Sequence, residues 1–267
     1  MRQWRAEAGD TERGGGAALV PKECSVLSTR NELLLSLPLI EQAELGSRLK
    51  RTLLPHGFVL HDCGQSVETV YFPEKGAVSL VVELAGGAVI ESALVGADGA
   101  IGGFAAINSW PALNKAIVQI ESSAHAIAAE QLRRHCATGS SLPGLLGLHN
   151  QFLYAQAQQS AACNASHHLE ARLCRWLLRA HDLCGHSFAL TQEALAAFLG
   201  VRRTSVSLTA QSLQDAGLIR YRRGIIEIVD LDKLRKSSCE CHAALRAQRD
   251  RLQPASFATP QTAGAAG

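Results

Sequence analysis

The sequence predicts an α+β protein in which a β-sandwich or barrel is followed by consecutive helices and a winged helix-turn-helix. Three observations predict this. Short β-branched runs broken by Gly, Pro, Asp and Asn fill the first half. From about Glu130 the apolar spacing changes to three and four. Near the end, two helical patterns meet at a glycine in "LTQEALAAFLGVRRTSVSLTAQSLQDAGLI", and a basic hairpin follows.

Residues 1–30 are rich in Gly, Ala and charge, have no period, and read as a mobile tail. Asn31 to Arg51 reads as helical. The runs "FVLHDCG", "TVYFPEKGAVSLVVELAGGAVIESALVG" and "AIVQIESSAHAIA" read as strands, with a hairpin at Leu84 to Ala88 where Gly86 and Gly87 tolerate positive φ. Leu148, Phe152, Ala155, Gln159 and Ala162 share one helical face, as do Leu169, Leu173, Trp176 and Leu177, with a break near Asn164 to Ser166. A further helix starts near Thr191 and stops at Gly200. The last runs from about Arg203 to Ala216, before two short strands around Arg222-Arg223-Gly224. Residues 236–267 read as a second mobile tail.

The 267 residues carry a net charge of only +2, so any basic surface is local. No run of about 18 apolar residues is present. The N-terminus lacks an apolar signal core, and the eight scattered cysteines suit a reducing cytoplasm; the expected location is cytoplasmic, with no membrane partner. Between Arg202 and Arg223, five arginines face one acid, Asp215, a local balance of +4. The second helix of the turn opens with Arg202, Arg203, Thr204, Ser205 and Ser207 where an acidic first turn is usual. A recognition helix enters the major groove by its N-terminal end, where acids would repel the backbone. Arginine matches the guanine edge, hydroxyls suit phosphates or base edges, and the helix N-terminus favours an anion. Arg222 and Arg223, on the hairpin, are placed at phosphates. A plain helical hairpin with solvated arginines explains the charges but not the turn, the hydroxyls and the basic wing together.

"RLCRWLL", "LTQEALAAFLG", an arginine followed by hydroxyls, "LQDAGLI" and the basic wing resemble the Crp/Fnr superfamily of bacterial transcription regulators, over about Asn31 to Arg235. The resemblance implies a jelly-roll sensor domain related to cyclic-nucleotide-binding domains (31–137), a dimerisation helix (138–165) and a winged-helix DNA-binding domain (166–235). It implies a homodimer on palindromic double-stranded DNA that meets RNA polymerase. Arg203 takes the place of the arginine that reads guanine; Thr204 stands where many members carry a glutamate. Nucleotide-binding members hold the cyclic phosphate with Gly-Glu and Arg-Ser pairs. Here the equivalents are Gly102-Gly103 and Asn114-Lys115, and one lysine lacks the bidentate fork. These four are the candidate effector residues, of unidentified effector.

No cofactor, metal or enzymatic activity is expected. Only Cys24 and Cys63 lie in the first hundred residues, too few for an iron–sulfur cluster. Cys239, Cys241 and His242 form a weak metal or redox candidate, because C-x-C-H is not a standard zinc spacing and no second pair follows. Cys163 and His167-His168 read as structural or capping residues. In His61-Asp62-Cys63, adjacent side chains on a strand point to opposite faces and do not cooperate. The alternative function is a sensor or scaffold whose winged helix serves protein contacts; such a module lacks the counterion slope of a DNA binder.

Overall fold

A computed structural model describes residues 27–252. Asn31, fully buried, caps α1 (Glu32–Leu35) by accepting from the Leu34 amide, and its Nδ2 donates to the carbonyls of Pro73 and Gly99, both at 2.8 Å. The expected single helix from Asn31 to Arg51 is not formed. Pro38 interrupts it, α2 spans Leu39–Gly46, and the chain is already extended in β1 (Lys50–Leu54). Proline disfavours helix in the residue before it, and this local effect overrides the apolar spacing.

The strands β2 (Val59–His61), β3 (Thr69–Glu83), β4 (Val89–Val95) and β5 (Lys115–Ala128) complete an antiparallel sheet ordered β1-β5-β3-β4, with β2 also on β5. Three register shifts between Pro73 and Val78 bend β3 where it runs along β5. Gly76, at φ 86°, sits so close to the carbonyls of Ile120 and Glu121 that no Cβ fits. The predicted hairpin forms, and Gly87 alone takes positive φ, with its amide donating to the Leu84 carbonyl at 2.8 Å. The helices α3 (Gly103–Asn108) and α4 (Ala129–Cys136) flank the sheet. Phe72, Leu132, Leu142 and Leu146 fill one core beneath the helices; Val78, Val95 and Val118 fill another within the roll.

The long helix α5 (Leu142–Ser166) carries proline in its first turn, where the missing N–H costs nothing. It ends at His167, and His168 opens α6 (Leu169–Cys184) in extended backbone. Then come β6 (Ser187–Ala189), α7 (Gln192–Leu199), α8 (Arg203–Asp215), β7 (Ile219–Arg222) and β8 (Ile225–Ile228), the strands ordered β6-β8-β7. The expected C-terminal tail from residue 236 is instead helical in large part. α9 (Leu231–Ser237) is followed by α10 (Cys241–Leu252), which packs along α5 through Cys241 and the buried Leu245. The rest of that tail, and residues 1–26 of the N-terminal one, lie outside the described residues. Among the described residues, no helix is long and apolar enough to cross a membrane.

The winged-helix core of Leu173, Trp176, Leu177, Phe198, Val206, Leu213 and Ile226 is continuous with Ala77, Leu94 and Ile120 of the roll. Trp176 stacks on Phe198 and meets Phe188 edge-on. Its indole N–H donates to Glu91 Oε1 on β4 at 2.9 Å. The two domains therefore share one apolar interior.

Candidate nucleic-acid interface

The turn between α7 and α8 is built locally. Thr191 Oγ1 accepts from the Ala194 amide at 3.1 Å and starts α7. Gly200 ends it in the left-handed region, at φ 63°, a conformation that glycine adopts without steric cost. Arg202, extended, precedes α8, and no side chain caps the first amides of that helix. Those amides and the positive end of the helix dipole face outward. Val206, Ala210 and Leu213 are buried against α7, so the opposite face is presented to solvent.

Arg202, Arg203 and Thr204 are exposed, and Ser205 is half-buried. Arg203 Nε pairs with Glu193 Oε1 at 3.0 Å, both side chains more than half exposed, so the pair is readily exchanged for a stronger anion. Ser207 is half-buried. Its hydroxyl donates to Gln192 Oε1 at 2.6 Å, tying α8 to α7. Arg223 and Gly224 both have positive φ, the two-residue primed turn that fits strand twist. This turn brings Arg223 and Gly224 to the same cleft as Arg203, with Thr191, Gln192, Glu193 and Tyr221. Arg220 is held by Glu227 at 2.7 Å. Among the described residues, no carboxylate pairs with Arg202, Arg222 or Arg223.

Leu208 was not singled out in the sequence. It is 74% exposed, one turn after Thr204 on the solvent face of α8. The signal available was an apolar residue in a position that the apolar spacing assigns to solvent.

On the roll, the candidate effector residues already have partners within the chain. Lys115 Nζ is shared by Asp62 Oδ1 at 3.1 Å and Glu83 Oε2 at 3.2 Å. A Cβ on Gly102 would meet Val67, and one on Gly103 would meet Leu146. Gly103 thus allows close packing of α3 on α5, and Gly102 allows it on the segment that carries Val67. His61, beside Gly102, interacts with Asn114, and burial holds its pKa below the usual imidazole value.

The apolar stripe of the long helix is divided between the chain's own interior and solvent. Phe152, 6% exposed, lies under the Arg179 guanidinium, 5.8 Å from its ring centre, and Leu145 is buried in the roll-side core. Neither is available to a second chain. The face left to solvent runs through Gly144, Leu148, Gln151, Tyr154, Ala155, Gln158 and Ala162.

A winged helix-turn-helix joined to a β-roll by one long helix defines the architectural class. Residues 171–237 match the family model of the Crp-like helix-turn-helix domain. No curated protein matches the chain in sequence. Among solved structures, FixK2 from Bradyrhizobium japonicum is similar at TM-score 0.61 and 15% identity, covering 72% of this chain and 98% of that one. A CRP-family transcriptional regulator of Thermus thermophilus is similar at TM-score 0.59 and 20% identity, covering 71% and 96%. The c-di-GMP-responsive regulator CLP of Xanthomonas campestris is similar at TM-score 0.53 and 18% identity, covering 69% and 95%. The chain thus carries a Crp-like helix-turn-helix domain within the fold of the Crp/Fnr regulators.

Proposed function

We propose that this protein is a DNA-binding transcription regulator that reads a palindromic operator as a homodimer. One observation carries the reading: the uncapped, acid-free start of α8 and the wing turn border one cleft, and among the described residues no carboxylate pairs with Arg202, Arg222 or Arg223. Arg203 and Thr204 meet base edges, with Leu208 at a thymine methyl group. Arg202, Ser205, Arg222 and Arg223 serve the backbone, while Ser207 sets the angle between the two helices. The dimer seam is the open face of α5, where Gly144, Leu148, Gln151, Ala155, Gln158 and Ala162 repeat at four and three. Its small side chains suit close approach of a second helix. A contact with RNA polymerase belongs to the same reading, as does an effector of the roll around Gly102, Gly103, Asn114 and Lys115. An anion there must displace Asp62 and Glu83 from Lys115.

Selection of bound duplexes from a random pool tests the proposal. Palindromes with half-sites about one helical turn apart are expected. Binding that lacks a sequence preference and a salt slope contradicts it and favours the protein-contact alternative.

A further inference from the structure

Four residues that the helix-turn-helix does not use meet at the junction of α5 and α6. Cys163 and His167 close α5; Cys239 and Cys241 flank the turn between α9 and α10. The three Sγ atoms and one imidazole nitrogen all lie within 4.8 Å of one another. Cys163 Sγ is 3.6 Å from Cys239 Sγ, and Cys241 Sγ is 3.6 Å from His167 Nδ1. Around a tetrahedral zinc with bonds of about 2.3 Å to sulfur and 2.0–2.1 Å to nitrogen, neighbouring ligand atoms stand roughly 3.5–3.8 Å apart. Both of these 3.6 Å separations match edges of such a tetrahedron, and the sulfur–sulfur one is too long for a disulfide, whose sulfurs lie about 2.05 Å apart.

The surroundings agree with this donor set. His167 Nε2, on the far side of the ring, is 3.2 Å from Glu240 Oε1, the carboxylate partner that orients a metal-bound imidazole. Gln159 Nε2 donates to Cys241 Sγ at 3.1 Å. Three thiolates on a divalent ion leave one net negative charge, and the buried guanidinium groups of Arg172 and Arg175 on α6 lie close enough to act on Cys163. Each of these two arginines has a buried Nε without a partner. His242, the third residue of the sequence candidate, is elsewhere: its Nε2 is 2.8 Å from Asp182 Oδ2. C-x-C-H is thus not the ligand run, and the second pair precedes it by more than seventy residues, which hid the site in the sequence.

We propose that Cys163, His167, Cys239 and Cys241 bind one zinc-class ion per chain. The ion pins the C-terminal helix to the end of α5, at the joint from which the winged helix departs. The proposal is independent of the DNA reading.

Metal analysis of the full chain, purified under reducing conditions and reconstituted with Zn²⁺, tests it. One zinc per chain is expected, and replacement by Co²⁺ should give the near-ultraviolet sulfur-to-metal charge transfer and visible bands of tetrahedral thiolate coordination. Cys163→Ser or Cys239→Ser should abolish stoichiometric binding, and Cys63→Ser, on the exposed surface of the roll, should leave it unchanged. Glu240→Gln should weaken zinc about 10- to 100-fold in a chelator competition. Should Cys163→Ser fail to fold, His167→Gln, at a partly exposed position, decides between loss and retention. Substoichiometric zinc with no cobalt charge transfer overturns the proposal. So does iron with inorganic sulfide, or a Cys163–Cys239 disulfide that persists in the protein freshly purified under reducing conditions.

Discussion

Arg203 and Arg222 are both exposed arginines of one basic cluster, yet their places in the fold set different tasks. Arg203 opens α8, the helix proposed to enter the groove; Arg222 ends β7 at the hairpin proposed to meet the backbone. Losing a bidentate guanine contact costs roughly 1–3 kcal/mol and only on the correct operator, whereas losing a phosphate contact weakens all DNA and lowers the salt slope by about one. Arg203→Ala should therefore collapse the ratio of operator to random binding, and Arg222→Ala should leave it nearly intact. Titrating both variants on both duplexes at several salt concentrations measures this; the reverse pattern makes the wing the reader. Leu208→Ala adds a sharper case. It should change preference only at a thymine position, with stability within about 0.5 kcal/mol, as for other exposed sites.

At the scale of elements, α5 presents two faces with different work. Phe152 belongs to the chain's own interior, under Arg179 and beside the C-terminal helix. Phe152→Ala should cost about 3–5 kcal/mol in unfolding without altering the oligomeric state of the folded fraction. Leu148→Asp and Ala155→Glu lie on the open face and should yield folded monomers with weak operator binding, seen in sedimentation and in DNA titration. A dimer that survives both substitutions places the seam elsewhere. On the roll, Lys115 is held by two carboxylates, so calorimetry with cyclic AMP should show no micromolar binding.

For the whole molecule, the contact between the winged helix and the roll centres on Glu91. Its oxygens accept from Trp176 Nε1 at 2.9 Å and from Ser79 Oγ at 2.5 Å. Burial pushes its pKa up to about 7 from 4.5; the pull of Ser79, Arg175, Trp176 and Arg179 only partly opposes this. Between those values the folded chain holds a proton that the unfolded chain has released, so this group's contribution to stability falls as pH rises. Glu91→Gln keeps an acceptor for Trp176 and removes the ionisation. Its unfolding free energy should match that of the natural protein near pH 4 and exceed it increasingly toward pH 8, by about 3 kcal/mol at most. Asp98 behaves oppositely. Burial would raise its pKa, but Arg179 at 2.7 Å and Arg249 win and hold it below 3.8. Its contribution is present above that value and is lost in acid. Asp98→Asn should destabilise by roughly 3–5 kcal/mol, because it leaves buried arginine charge unpaired.

What the sequence by itself determined is what neighbouring residues decide among themselves. The Thr191 cap, the left-handed Gly200, the acid-free start of α8 and the Arg223-Gly224 turn are set by local backbone preference and by the spacing of apolar positions. These make α8 legible, with its boundaries nearly right. The same local reading does not hold at Pro38, where the helix breaker outweighs the apolar spacing. Tertiary structure alone decided which side of α5 is covered, because an apolar stripe does not say whether its partner lies in the same chain. It also decided that residues 241–252 are a docked helix, since polar α10 gains its place by packing on α5. And it alone brought Cys163 and His167 to Cys239 and Cys241. A site whose halves are more than seventy residues apart has no local spacing, and it exists only once two helix ends have met.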